Sequence, residues 1–392
     1  MFMKTNHKKR LEELILIIVM AGILVAVFCY QNLSAISYQM YTSDSITYEK
    51  GKVDQIIEED LQLEEGETNR YRGEQTLLVT LKTGEQKGSQ IVIHNELTAT
   101  HNIKATEGTN IIVKSDTPEG IEPHYSVFNY DRSMGIYCII GIFAVLMILV
   151  GGLKGLKSLI GLLFTLLFIL LFLLPMIYQG YSPIGMAILT VLVTTVFSML
   201  LLNGFQAKTW TAIVSVMGGV LIAAIAYYLF SNVLHLTGYN LEQAEELIII
   251  HQNTGLQVGQ LLFVGILIAS LGATMDMSMS ITSSLYEMKR IHPQLTGKQI
   301  FVSGMKIGSD MIGTMCETLI LAFVGSAVTA LLVLISYGTQ LQQLLSSDYI
   351  AIELLHSITG SVAVILVVPI TAILTALFTT KLNWKQRSKQ QS

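Results

Sequence analysis

The chain has 392 residues, 52% of them hydrophobic and only 13% charged, about half the charged share of a soluble domain. The apolar residues gather into long runs, so the composition describes a membrane protein. A formal net charge of −4 without a basic stripe excludes nucleic acid as a partner.

The chain opens with Lys4, Lys8, Lys9 and Arg10 ahead of an apolar run over 14–30. That run is long for a signal peptide and no small-x-small cleavage site follows it, so it predicts an uncleaved anchor. Cys29 stands behind Ala26-Val27-Phe28, a poor lipobox. Cys29, Cys138 and Cys316 all lie in apolar runs, and they make no disulfide framework.

Between residues 33 and 132 the character changes. Short alternating runs at 76–82, 90–94 and 110–114 are separated by turn signals at Thr83-Gly84-Glu85, Glu107-Gly108-Thr109 and Pro118-Glu119-Gly120. Period-two alternation predicts a small antiparallel β domain of about five strands, barrel-like or sandwich-like, with an OB- or SH3-like barrel suited to Gly51-Lys52-Val53 opening a strand. Val79, Ile91, Ile93, Ile111 and Val113 are its expected core. His94, His101 and His124 lack a short metal-ligand spacing and are expected to be solvated.

Seven more apolar runs follow, at 135–152, 158–178, 183–202, 209–230, 256–275, 310–337 and 349–380. Each approaches the ~20 residues that span hydrocarbon. Lys154 and Lys157, then Lys208, then Lys289, Arg290 and Lys298, then Lys381, Lys385, Arg387 and Lys389 alternate with connectors free of Lys and Arg at 179–182, 231–252 and 338–348. Eight spans with both termini in the cytoplasm satisfy every loop. The expected fold is therefore a mainly α membrane protein of eight transmembrane helices: an anchor (1–32), an extracytoplasmic β-rich domain (33–132) and a seven-helix block (133–392). Residues 240–252 read as an amphipathic surface helix. Residues 278–301 read as the longest cytoplasmic loop, with a short helix ended by His292-Pro293.

Acidic residues at membrane depth mark candidate sites, because a bare carboxylate there costs at least ~2.5–3.5 kcal/mol. Asp276 ends the run 256–275. It is an N-cap for the next helix, a group facing a polar path, or a simply surface-exposed residue. Asp310, Thr314 and Glu317 share one helical face, with the carboxylates about 10 Å apart along the axis. They form either a proton or cation path or a hydrogen-bonded packing seam eased by Gly304, Gly308 and Gly313. Glu353 and His356 stand one turn apart in the last span, as a proton relay or an ordinary polar pair. Pro369 interrupts that span and frees a carbonyl. His-Glu-x-x-His, Gly-x-Ser-x-Gly and phosphate-loop motifs are missing. The Gly308-Ser309-Asp310 sequence lacks the second glycine of the intramembrane aspartyl proteases. No enzyme activity, catalytic residue, cofactor or metal is expected.

Residues 272–281, Gly-Ala-Thr-Met-Asp-Met-Ser-Met-Ser-Ile, with Tyr286-Glu287 and the stretch from Gly308 to Glu317, resemble the YibE/F-like family of bacterial multi-pass membrane proteins. The resemblance implies an integral protein of the bacterial cell membrane, with one anchor, an outer β domain and a seven-helix block. A fainter similarity is to protein-export auxiliary subunits of the resistance-nodulation-division superfamily, although Asp276 lacks their flanking Asn and Thr. The expected function is a permease or export-related transporter with a polar path through helices six to eight. The alternative is a non-transporting protein whose outer domain binds a ligand or envelope partner. The lipid bilayer is the expected partner, with a related membrane subunit or a second copy as further candidates.

Overall fold

A computed structural model describes residues 2–33, 45–66, 69–118, 120 and 122–390, with side chains described from 11 to 32 and from 45 to 380. The first part of the expected β domain (34–44), Glu119 of its third turn signal, and the side chains of the lysine-rich termini lie outside those residues. The chain divides into two compact units, Met1–Ile36 with Ile148–Ser392, and Ser37–Met147.

The second unit holds one antiparallel sheet of five strands: β1 (Ile46–Leu63), β2 (Tyr71–Leu81), β3 (Gln90–Leu97), β4 (Asn110–Asp116) and β5 (His124–Tyr130), in the order β3-β2-β1-β4-β5. β1 pairs with β4 through its first half and with β2 through its second. Two bulges, at Val53/Gln55 and Ile56/Glu58, bend it between the two partners. The sheet curls until β3 and β5 approach each other. Gly51 sits where β1 pairs on both sides, and a Cβ there would stand 2.7 Å from Val79 Cγ1. Val53, Leu77, Val79, Ile93, Ile111 and Val113 fill the interior, and Ile91 packs at its margin. At the end of the sheet Ser133 donates its hydroxyl and its N–H to Asp131, and Lys50 stands 3.1 Å from the other carboxylate oxygen. Those donors hold the Asp131 carboxyl below its ordinary range.

The helices are α1 (Phe2–Leu33), α2 (Ser133–Phe168), α3 (Leu174–Tyr178, joined to α2 by a π-helical turn), α4 (Pro183–Asn203), α5 (Ala207–Leu234), α6 (Ala244–Thr254), α7 (Leu261–Ile291), α8 (Gly297–Ser336), α9 (Leu341–Leu345) and α10 (Asp348–Gln390). Seven segments among the described residues are long and apolar enough to cross a membrane, against the eight expected from the sequence. The difference lies in Ser133–Tyr178, a 46-residue segment that the sequence divides in two. The chain breaks helical geometry inside it at Gly152 (φ 56°, ψ −139°), a backbone state open to glycine.

Residues 278–301, expected as a loop, are helical over most of their length. α7 continues unbroken to Ile291, and α8 begins at Gly297, thirteen residues before the expected start of its span. Ser278, Ile281, Thr282 and Leu285 are buried, so tertiary packing carries the helix past the end of the apolar run. His292 to Thr296 make the turn, and Thr296 with Gln299 caps α8 reciprocally. Asp276 therefore lies inside α7 and caps nothing. The surface helix expected at 240–252 is α6, which buries no residue.

α10 is the central element, packed against α5, α7 and α8, and its helix runs through Pro369. A Cβ on Gly304 would stand 2.8 Å from Ala372 Cβ, and one on Gly308 would collide with Val368. These two glycines let α8 close on α10.

Candidate functional site

Three contacts fix the register of α7 against α10. A Cβ on Gly265 would meet His356 Nε2 at 3.5 Å. One on Gly219 of α5 would meet both Thr274 (3.2 Å) and Val367 (3.0 Å). The hydroxyl of Thr371 reaches that of Ser278 at 3.5 Å. Residue numbers rise together along both helices, so the two run parallel.

Thr274, Ser278, Thr282 and Tyr286 then step by four along α7, and Val367, Thr371, Thr375 and Thr379 step by four along α10. Side chains four apart share one helical face. Thr274, Ser278, Thr282, Thr371 and Thr375 are fully buried. Among the described residues, five of the eleven buried helical threonines bond back to the carbonyl four residues earlier, Thr371 and Thr379 among them. Thr282 Oγ1 and Thr375 Oγ1 have no hydrogen-bond partner among the described residues. Thr190, Thr195, Thr209 and Thr359 are unpaired in the same way among the described residues, and each such buried hydroxyl costs ~1–3 kcal/mol. Tyr286 closes the series with a 2.9 Å hydrogen bond to Thr211 of α5.

A cavity stands at each end of this seam. At the C-terminal end, about 590 Å³ is lined by Tyr286, Thr379 and the basic residues Lys208, Lys289 and Arg290. At the N-terminal end of α10, about 770 Å³ is lined by Glu353 and His356 together with Glu242, Asp348, Ser326 and Thr329. His356 stacks on Phe323 of α8, with ring centroids 5.6 Å apart. Glu353 Oε2 is shielded from solvent and lacks a hydrogen-bond partner among the described residues. From His356 to Thr379 the helix rises about 34 Å, close to the ~30 Å of a hydrocarbon core. Between the polar ends, Ala363, Val364 and Val367 are buried and apolar, so the seam is closed at its middle.

The acidic residues singled out from spacing stand elsewhere. Asp310, Thr314 and Glu317 share a face of α8, and all three are exposed. Thr314 bonds only within its own helix, to the Met311 carbonyl. Asp276 is exposed on α7. The structure thus sets these residues on outward faces and brings only Glu353 and His356 to a common cavity. The hydroxyl ladder was missed. Its signal, Thr371, Thr375 and Thr379 at strict four-residue spacing, is present in the sequence.

In the sheet unit His94, His101 and His124 line one cavity of about 420 Å³ with Glu74 and Glu96, in the gap between β3 and β5. Among the described residues no three His, Cys, Asp or Glu side chains stand close enough to hold a metal ion.

The profile of the YibE/F-like protein family matches residues 139–381. The chain belongs to that family. The matched stretch contains the whole α7–α10 seam and both of its cavities. No curated protein and no solved structure matches the chain.

Proposed function

We propose that the protein is a permease of the bacterial cell membrane, with a substrate path along the α7–α10 seam between its two end cavities. The observation that carries this reading is the ladder of buried hydroxyls, two of them unpaired among the described residues, that rises from the basic cavity to an apolar middle, with a second cavity about one membrane thickness away. The path lies inside the bundle and leaves the outer face of α8, with Asp310 and Glu317, to other contacts.

The topology that suits this path has eight crossings, with Ser133–Tyr178 counted as two crossings divided at Gly152. Glu13 pairs with Lys157 at 2.5 Å, and Gln31 donates to the Leu171 carbonyl. α1 and the second half of α2 therefore run in the same direction. Both termini, Lys157 and the basic cavity then lie in the cytoplasm, and the sheet unit, an OB-like barrel, lies outside. The cavity between β3 and β5 favours a second role, capture of a ligand or envelope partner by that unit.

Growth of a strain that depends on the protein tests the path. Glu353→Gln and Thr375→Val are each expected to abolish growth without lowering expression or the melting temperature in detergent. Full growth of the doubly substituted protein contradicts it.

A further inference from the structure

The cavity at the start of α10 has a composition that selects its ligand. Its volume of about 770 Å³ lies within the ~300–1,000 Å³ of small-molecule sites. Leu241, Val333 and Ile352 form apolar walls, and the carboxylates of Glu242, Asp348 and Glu353 project among them. Among the described residues no Lys or Arg lines it. Asp348 is partly engaged, accepting a 3.0 Å bond from Asn240. Glu353 Oε2 is withdrawn from solvent without a hydrogen-bond partner among the described residues. A carboxylate oxygen in that state calls for a counter-charge or a donor.

A bare metal ion is a poor source of that charge, because among the described residues no three ligating side chains converge here. A diffuse charge on an apolar body matches both features of the wall. Tyr349 lines the cavity and adds an aromatic face of the kind that attracts organic cations.

We propose that this cavity binds a small organic cation, a protonated or quaternary amine with an apolar body. The inference rests on the permease reading for its purpose, since the cavity would be the outer mouth of the path. Binding itself is measurable without transport.

The test is calorimetric titration of the full-length protein in detergent with benzyltrimethylammonium, benzenesulfonate and benzyl alcohol. The cation should bind saturably, with the anion and the alcohol at least about tenfold weaker. Glu353→Gln should weaken the cation about tenfold. Ala330→Phe, which fills the cavity from α8, should abolish binding in a protein that melts as the parent does. Equal binding of cation and anion, or cation binding untouched by both substitutions, overturns the proposal. Selective cation binding by a protein whose α7–α10 seam proves closed to water in membranes sustains this site and removes the permease reading. A water-accessible seam without cation binding does the reverse.

Discussion

The outer face of α8 and the inner face of α10 carry polar residues at the same helical spacing and have opposite surroundings. Asp310, Thr314 and Glu317 repeat at four and three residues, and all are exposed. Thr371, Thr375 and Thr379 repeat at four, and all are buried against α7 and its neighbours. Spacing decides which residues share a face, but which way the face points is settled by what packs on the helix. On α8 the deciding residues are Gly304 and Gly308, which turn the uncharged side toward α10 and so push the carboxylates outward. On α10 the hydroxyls lie on the side that α7 covers.

The comparison breaks most readily at the glycines. Gly308→Leu forces a branched side chain into Val368, and overpacking of this kind costs about 3 kcal/mol. Gly313→Leu, one turn farther along where nothing stands within 4 Å, should change stability by less than about 0.5 kcal/mol. Unfolding in detergent measures both, and equal losses would mean that α8 presents a different face to α10.

A smaller effect on stability, and a larger one on activity, separates the two polar faces. Asp310→Asn with Glu317→Gln should leave growth of a dependent strain intact, whereas Thr375→Val should abolish it without lowering the melting temperature. Replacing an unpaired buried hydroxyl by a methyl group relieves a cost of ~1–3 kcal/mol, so the loss of growth would belong to the path. Ser278→Ala removes one partner of the 3.5 Å contact with Thr371. It should cost about 0.6 kcal/mol, the average for such bonds between membrane helices.

The smallest effect lies in the sheet unit. The Asp131 carboxyl is held below its ordinary range by the two Ser133 donors, and then by Lys50. A depressed folded-state pKa contributes stability above the unfolded value near 3.9. That contribution is lost as the pH falls through the folded one. Asp131→Asn should flatten this acid-side loss, seen as a melting temperature that changes less than the parent's between about pH 5 and pH 2. An unchanged acid profile would remove Asp131 from the account of this unit.

Much of the fold was legible because its signals are periodic and dense. The alternation that places Val79, Ile93, Ile111 and Val113 inside the sheet is a period of two, and all four are buried. The long apolar runs are the membrane-length helices, apart from the pair joined through Gly152. The extent of α7 was not legible. Its last four turns are polar, and they are helical because Ser278, Thr282 and Leu285 are buried by neighbours distant in sequence. The site was hidden for a related reason. Carboxylates stand out in an apolar stretch, whereas threonines blend into it and gain meaning only when a second helix aligns with them. Glu353 and His356 were visible as a pair; the cavity around them is assembled from α8, α10 and the segment before α6.

The most direct test of an interior path is thiol labelling in native membranes by a charged, water-soluble reagent, in a background with Cys29, Cys138 and Cys316 replaced by Ala. Cysteine is placed singly at Ser361, Thr375, Thr379 and Glu317. An interior path predicts labelling at Thr375 and Thr379 from the basic-cavity side, at Ser361 from the opposite side, and none at Glu317. Labelling confined to Glu317, with all three α10 positions silent from both sides, would put the water on the face of α8 and contradict the account.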